Sequence, residues 1–304
     1  MRRSILPTSS EWPPELNELG PEKPPTELHV DGAELPRKRD CIAIVGTRDA
    51  SVAGAETARA FARRFAEAGY TVVSGMARGI DSAAHRGALE VGGNTVAVVG
   101  CGLDLTYPPR NENLKRQIAA HGSVVSEYPD GTEPHKHHFP QRNRIIAGLS
   151  EGVVVIEGGL KSGALITARI AVEANRNVWA VPGSPQDPRA AGPNELIRAG
   201  QAGLVTHPDQ VFEEIAPEIA WRGPYEVRRP STVSLTEEEV RALSALSLVP
   251  STADQVCTAV KMAPGRLALC LSKLEIRGLA RRSRGGGYLL SEGGARALEG
   301  ALDL

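Results

Sequence analysis

The sequence predicts an α/β protein: a doubly wound, mostly parallel sheet followed by a small C-terminal winged-helix domain. Three observations predict it. Between Cys41 and Ile215, short apolar runs (CIAIVG, YTVVSG, NTVAVVG, SVVSEY, GVVVIEG, VWAVPG) alternate with segments of helical period, as parallel strands do when crossover helices join them. Further on, three helical segments precede two short β-like runs around Gly285-Gly286-Gly287, the outline of a winged helix-turn-helix. The length of 304 residues suits one large domain plus a small one, since domains usually run ~100 to 200 residues.

The elements follow in chain order. Residues 1–39 carry Trp12-Pro13-Pro14, Pro21, Pro24-Pro25 and Pro36, a proline density that forbids long helices, so an extended arm with one short strand near LHV is expected. Residues 40–217 form the sheet domain of six or more strands. Its helices are expected from Ala53 to Ala68, from Asp81 to Val91, after Pro109, over RNRIIAGLS, over SGALITARIAVEAN, over NELIRAG and up to Ile215. Residues 218–234 lack any period and read as a linker. Residues 235–304 form the winged helix: SLTEEEVRALSAL opens on a Ser/Thr cap candidate and a Glu-rich turn, then STADQVCTAV and PGRLALCLSKLEIRGL give two more helices before ARRSRGGGYLLS.

Composition sets limits. With 35 basic and 36 acidic residues the formal net charge is −1, so a coat for polyanions is excluded and nucleic-acid binding must come from a local patch. Cys41, Cys101, Cys257 and Cys270 include no C-x-x-C pair, which signals neither a zinc ribbon nor a disulfide framework. No apolar run approaches the ~18 to 20 residues that cross a bilayer, and the opening MRRSILPTSS lacks the apolar core of a secretory signal. A cytoplasmic location with no membrane partner is expected.

Ligands of doubly wound sheets bind at the carboxyl ends of the strands. Five loops lie there: Gly46-Thr47-Arg48, Ser74-Gly75, Gly100-Cys101-Gly102, Glu157-Gly158-Gly159 and Pro182-Gly183. The first has no G-x-G-x-x-G, and no acidic residue ends YTVVSG to hold a ribose, so ordinary NAD binding is disfavoured. Gly46 still lets backbone approach an anion at a helix N-terminus, and Arg48 adds a planar grip on phosphate. Arg48 does not stand alone: Arg78, Arg142 and Arg144 beside Asn143, and Lys161 with Ser162 and Gly163 at a helix start, converge on the same edge. A row of cations suits consecutive phosphates of a strand. Arg78 can equally pair with Asp81, and one of Arg142 and Arg144 is expected to face inward in a structural pair.

In HKHHFP, adjacent histidines of an extended loop point to opposite sides and no carboxylate completes a set, so no metal is assigned to His135, His137 and His138. Lys136 and Phe139, three apart in that loop, read as a phosphate contact and a face for an unpaired base; the alternative is that Phe139 anchors the loop onto the core. Glu127 and Glu157 end strands, where a carboxylate pair can do acid and base work, and Glu127 can equally cap a turn. There is no G-x-S-x-G elbow and no P-loop. No cofactor is expected, and neutral phosphate-and-stacking recognition implies single strands bound with little sequence preference.

At these loops the sequence closely resembles the DNA processing protein A family (DprA, also called Smf). The matching stretches are IAIVGTR, SGMARGIDSAAHRGAL, VGCGLDLTYPPRNENL, SEYPDGTEPHKHHFPQRNRIIAGLS, VVVIEGGLKSGALITARIAVEANRNVWAVPG and GPNELIRAG, from roughly Pro24 to Ile215. The resemblance implies an extended Rossmann-like domain that binds single-stranded DNA, protects it in natural transformation, loads the RecA recombinase and acts as a homodimer without enzymatic activity. Its pocket would use Gly46, Thr47, Arg48, Lys136, Phe139, Arg144, Ser162 and Gly163. Two departures stand out: GTR where the family usually has GSR, and a proline-rich arm where many members carry a helical SAM-like domain. In the winged helix, Arg266, Lys273 and Arg277 with Arg281, Arg282 and Arg284 could meet duplex DNA or a partner protein, or form a solvated face.

Two rival readings remain. The first is a phosphoribohydrolase-like enzyme, whose PGGxGTxxE signature is replaced here by EGGLKSGALITA. The second is a ligand-sensing winged-helix transcription regulator.

Overall fold

The computed structural model describes residues 2–219, 235–247, 251–283 and 287–291, with 294 and 298. Two compact units divide the chain, Met1–Trp221 and Arg222–Leu304. Most of the expected linker lies outside the described residues.

In the first unit the apolar runs become parallel strands: β3 (Cys41–Val45), β4 (Thr71–Ser74), β5 (Thr95–Val99), β6 (Ser123–Ser126), β7 (Gly152–Val155) and β8 (Asn177–Ala180). The arm supplies β1 (Arg2–Ile5) and β2 (Leu28–Gly32), and a short β9 (Gly203–Leu204) closes the far edge, giving nine strands in the order β1-β2-β6-β5-β4-β3-β7-β8-β9. The chain runs outward from β3 to β6 and then returns to lay β7 on the other side of β3. That reversal opens a crevice above the carboxyl ends of β3 and β7, where such sheets take their ligands.

Alternation along β3 builds two cores, since successive side chains of a strand face opposite ways. Ala43 and Val45 join Ile145, Ile146, Ala164 and Ala168 of α4 (His138–Gly148) and α5 (Gly163–Glu173) on one face. Ile42 and Ile44 join Phe61, Phe65, Ala84 and Phe212 of α1 (Val52–Glu67), α2 (Ile80–Glu90) and α7 (Asp209–Ile215) on the other. Helix α3 (Glu112–His121) seals the β5 and β6 side with Leu114 and Ile118, and α6 (Ala191–Arg198) follows β8.

The N-terminal arm corrects the expectation of an extended tail with one strand. β1 and β2 pair antiparallel, and β2 adds antiparallel to β6. Trp12, Leu16 and Leu19 are buried in the same core as Ile145. Prolines do exclude α-helix here, leaving short 3-10 turns at Pro14–Asn17 and Lys38–Asp40, but they do not prevent burial: Leu16 and Leu19 close onto Gly148 of α4, where an added Cβ would collide with both.

The second unit carries α8 (Glu237–Ser244), α9 (Ala253–Val260) and α10 (Pro264–Ile276), then the antiparallel pair β10 (Ala280–Arg282) and β11 (Tyr288–Leu290). Thr236 with Glu239 and Thr252 with Gln255 form reciprocal capping boxes that start α8 and α9. Leu243, Val256, Leu267, Leu271 and Leu274 make its core. Arg284 lies outside the described residues.

Candidate functional site

A cavity of about 530 Å³ occupies the crevice, large enough for a nucleotide-sized ligand. Its first wall is the loop after β3. Gly46 is required there, because a Cβ would meet Ile80 Cγ1 at 2.5 Å and the Glu157 carbonyl oxygen at 2.9 Å. The Thr47 N–H donates to the Glu157 carbonyl at 2.6 Å, and the Thr47 carbonyl accepts from the Ile80 N–H at 3.2 Å. Ser51 caps α1 and gives its hydroxyl to the Glu157 carboxylate at 2.5 Å. Glu157 therefore braces this loop. Glu127 is engaged too, in an ion pair with Arg144, so the two strand-end carboxylates do not meet as a catalytic pair.

The second wall is the start of α5. Ser162 is its N-cap and accepts from the Ala164 N–H at 3.1 Å, leaving Gly163 exposed at the mouth. The positive end of an 11-residue helix faces the cavity there, an arrangement that favours anions. Thr167, one turn on, lines the same wall.

The third wall is α4, and it corrects the second half of the reading of HKHHFP as a loop: His135, Lys136 and His137 precede the helix. The helix begins at His138, so Phe139 sits on its first turn. Phe139, Arg142, Asn143 and Ile146 all line the cavity, the i, i+3, i+4, i+7 spacing of one helical face. His138 is fastened to the Gly100 carbonyl at 3.1 Å and stacks on Tyr128 with ring centroids 4.0 Å apart. Burial lowers its pKa. His135 and His137 stack at 5.7 Å, but among the described residues no group of histidines, cysteines and carboxylates could hold a metal ion.

Cations divide into exposed and structural ones. Arg48 and Lys136 are exposed at the mouth. Arg142 is buried beneath them: its Nη1 donates to the Gly75 carbonyl at 2.8 Å and to the Val98 carbonyl, and a Cβ at Gly75 would collide with the guanidinium. Burial brings its pKa down to about 10, which still leaves it charged near neutrality. The neighbouring Asp81 carboxyl is pushed up by burial, against the pull of Arg142 and of the Ala77 N–H that it accepts at 3.3 Å. Arg144 turns away into the pair with Glu127 at 2.6 Å, with 9% of its side chain exposed. Both arginines of RNR are thus committed, where the sequence suggested one.

Among the other residues singled out, Ser74 gives its hydroxyl to the Ile44 carbonyl at 2.6 Å and is fully buried. Ser74, Gly75, Arg144 and Lys161 do not line the cavity, whereas Gly46, Thr47, Arg48, Lys136, Phe139, Arg142, Asn143, Ser162 and Gly163 do. Asn143 spends its amide on the Gly163 carbonyl at 3.2 Å, tying α4 to the start of α5. Sequence reasoning missed Tyr107 and Asp81, which also line it. The signal for Tyr107 was an aromatic residue fixed before Pro108-Pro109 in a strand-end loop.

In the second unit, Arg266 pairs with Glu238 at 3.2 Å and Arg277 with Glu239 at 3.0 Å. Arg282 lies over the Tyr288 ring, 5.6 Å from its centroid. Lys273 and Arg281 are exposed.

Fold and cavity together define a class: a Rossmann-like sheet protein with a cleft lined by cations and aromatic rings at its topological switch point, and a winged-helix unit. The chain belongs to the DNA recombination-mediator protein A family, whose model matches residues 3–216. The DprA winged helix domain model matches residues 226–286.

Similarity to known proteins agrees. The chain is 37% identical to Protein Smf of Synechocystis over 93% of its own length and 79% of that protein's. It matches the X-ray structure of DNA processing protein A from Streptococcus pneumoniae with a TM-score of 0.65 and 40% identity, covering 70% of this chain and 74% of that one. DNA processing protein A from Helicobacter pylori, described for its single-stranded DNA binding mode, gives a TM-score of 0.63 at 28% identity, covering 72% and 97%. Among the described residues no helix is long and apolar enough to cross a membrane.

Proposed function

We propose that the cleft binds single-stranded DNA, and that the protein protects incoming strands in the cytoplasm, delivers them to RecA and works as a homodimer without catalysing a reaction. One observation carries the binding step: Arg48, Lys136 and the start of α5 surround the same cavity as Phe139, which combines phosphate contacts with an aromatic rim. Phosphate contacts supply affinity without sequence information, and aromatic rings accept any unpaired base. The single-stranded DNA binding described for the Helicobacter pylori relative supports the same assignment. Among the described residues no constellation of nucleophile and base lines the cavity, and the carboxylate that does, Asp81, is buried and pushed toward its neutral form, which counts against the phosphoribohydrolase-like reading.

The test is competition: labelled single-stranded oligonucleotide on the protein, displaced by unlabelled single strand or by duplex. Single strands should compete at least tenfold better, since duplex hides the base faces; equal competition contradicts the stacking component. A RecA strand-exchange assay in the presence of a single-strand-binding competitor checks delivery. For the winged helix, Lys273, Arg281 and Arg282 are, among the described members of that cation set, the ones left for a duplex or partner contact, because Arg266 and Arg277 pair within the unit. Sequence-specific duplex binding would instead favour the regulator reading.

A further inference from the structure

The loop after β5 holds Tyr107 at the rim of the cleft more firmly than a surface aromatic requires. Lys115 of α3 is buried, and its ammonium donates to the Leu103 and Leu105 carbonyls, both at 2.6 Å. The Thr106 hydroxyl is tied to Glu112, and the Gly102 N–H donates to the Thr132 carbonyl at 2.9 Å. Burying an ammonium is costly unless its donors are satisfied, so this loop is fixed by a group that the fold had to desolvate. The residue delivered is a ring 40% exposed, whose hydroxyl has no partner among the described residues and whose centroid lies 5.3 Å from that of Phe139 at 37°.

Phe139 itself is partly covered. The Arg48 guanidinium sits over its ring, 4.9 Å from the centroid, its Cδ1 lies close to Gly100 and the Tyr107 ring tilts against it. A base entering the cleft therefore meets Tyr107 as the open aromatic face. We infer that Tyr107 is the surface on which an unpaired base stacks, with Phe139 as its half-buried backing and Lys115 as the positioning residue of the loop. This rests on the assignment of the cleft to single-stranded DNA.

The experiment uses the full chain and an oligo-dT strand carrying one 2-aminopurine, whose fluorescence is quenched on stacking. Wild type should bind and quench. Tyr107→Ala should lose both the quenching and roughly 5- to 150-fold in affinity, the span of one base's stacking, with the salt dependence unchanged. Tyr107→Phe and Tyr107→Trp should retain both within about twofold. Lys115→Met should weaken binding when Tyr107 is present and have no further effect in the Tyr107→Ala background, a dependence that a merely structural role would not produce. Wild-type quenching and affinity in Tyr107→Ala overturn the inference while Lys136→Ala, by losing affinity and salt dependence, still upholds the cleft. If wild type and Lys136→Ala both fail to bind, the cleft assignment and the inference fall together. Should Lys115→Met not fold, the Tyr107 series decides alone.

Discussion

The Arg48 guanidinium lies 4.9 Å from the centroid of the Phe139 ring, so the cation at the end of β3 and the aromatic on the first turn of α4 form one unit. Contacts of this kind are worth about 0.5 to 2 kcal/mol. In single-strand binding, Arg48→Ala and Phe139→Ala should therefore be non-additive, the double variant losing less than the sum of the two. A strictly additive double-mutant cycle would show that the two side chains act independently.

Arg142 and Lys136 line the same cavity but should respond in opposite ways. Arg142→Met removes the donor for two buried carbonyls and the charge beside Asp81, so it should destabilise the fold by about 3 kcal/mol or more in urea unfolding. Lys136→Ala, at an exposed position, should leave stability within about 0.5 kcal/mol. It should weaken binding and reduce the salt slope by about 0.7, one single-strand phosphate contact. A destabilised Lys136→Ala or a stable Arg142→Met would reverse the division between exposed and structural cations.

His85 makes stability pH-dependent. Burial, with Arg142 and Arg86 adding, pushes its pKa down to about 3 from an ordinary value of 6.5, so the unfolded chain takes up a proton in a window where the folded protein does not. Stability from this group is present above pH 6.5 and is lost as pH falls from 6.5 toward 3, about 2 kcal/mol of it by pH 5. The raised pKa of Asp81 acts in the opposite direction, adding stability as pH falls through it. Comparing wild type with His85→Gln isolates the histidine: the difference in unfolding free energy should shrink between pH 7 and pH 5. A pH-independent difference would contradict the buried neutral imidazole.

Gly46→Ala should disturb the cleft and the fold together. The new Cβ would press on Ile80 and on the Glu157 carbonyl, both fixed in packed elements, at a cost of about 1 to 3 kcal/mol. Gly163→Ala meets nothing within 4 Å and should leave thermal stability unchanged within about 0.5 kcal/mol. Equal thermal shifts for the two variants would contradict the steric account.

The sheet was legible because buried parallel strands are written as apolar runs, and CIAIV and GVVV leave little choice. β1 was not, since RRSI looks like any charged terminus and its pairing with His29 and Val30 is set only by the folded arm. The cleft was legible where a glycine loop ends a strand, at Gly46, and where a glycine opens a helix, at Gly163. It was misread around RNR, because carrying the HKHHF loop through Phe139 concealed the helical face Phe139–Arg142–Asn143–Ile146. Sequence gives a cation's type but not its direction: Arg144 belongs to Glu127 and Arg142 to two carbonyls. Tyr107 escaped notice because its role depends on a loop that Lys115 fastens from another element.

The most direct measurement is fluorescence anisotropy of a labelled oligo-dT titrated with wild type and with Lys136→Ala across a salt series. Tight binding by wild type at low salt that weakens steeply with added salt, together with a weaker and shallower response in Lys136→Ala, is the predicted result. Failure of wild type to bind at low salt, or a Lys136→Ala variant with unchanged affinity and slope, would contradict the assignment of this cleft to single-stranded DNA.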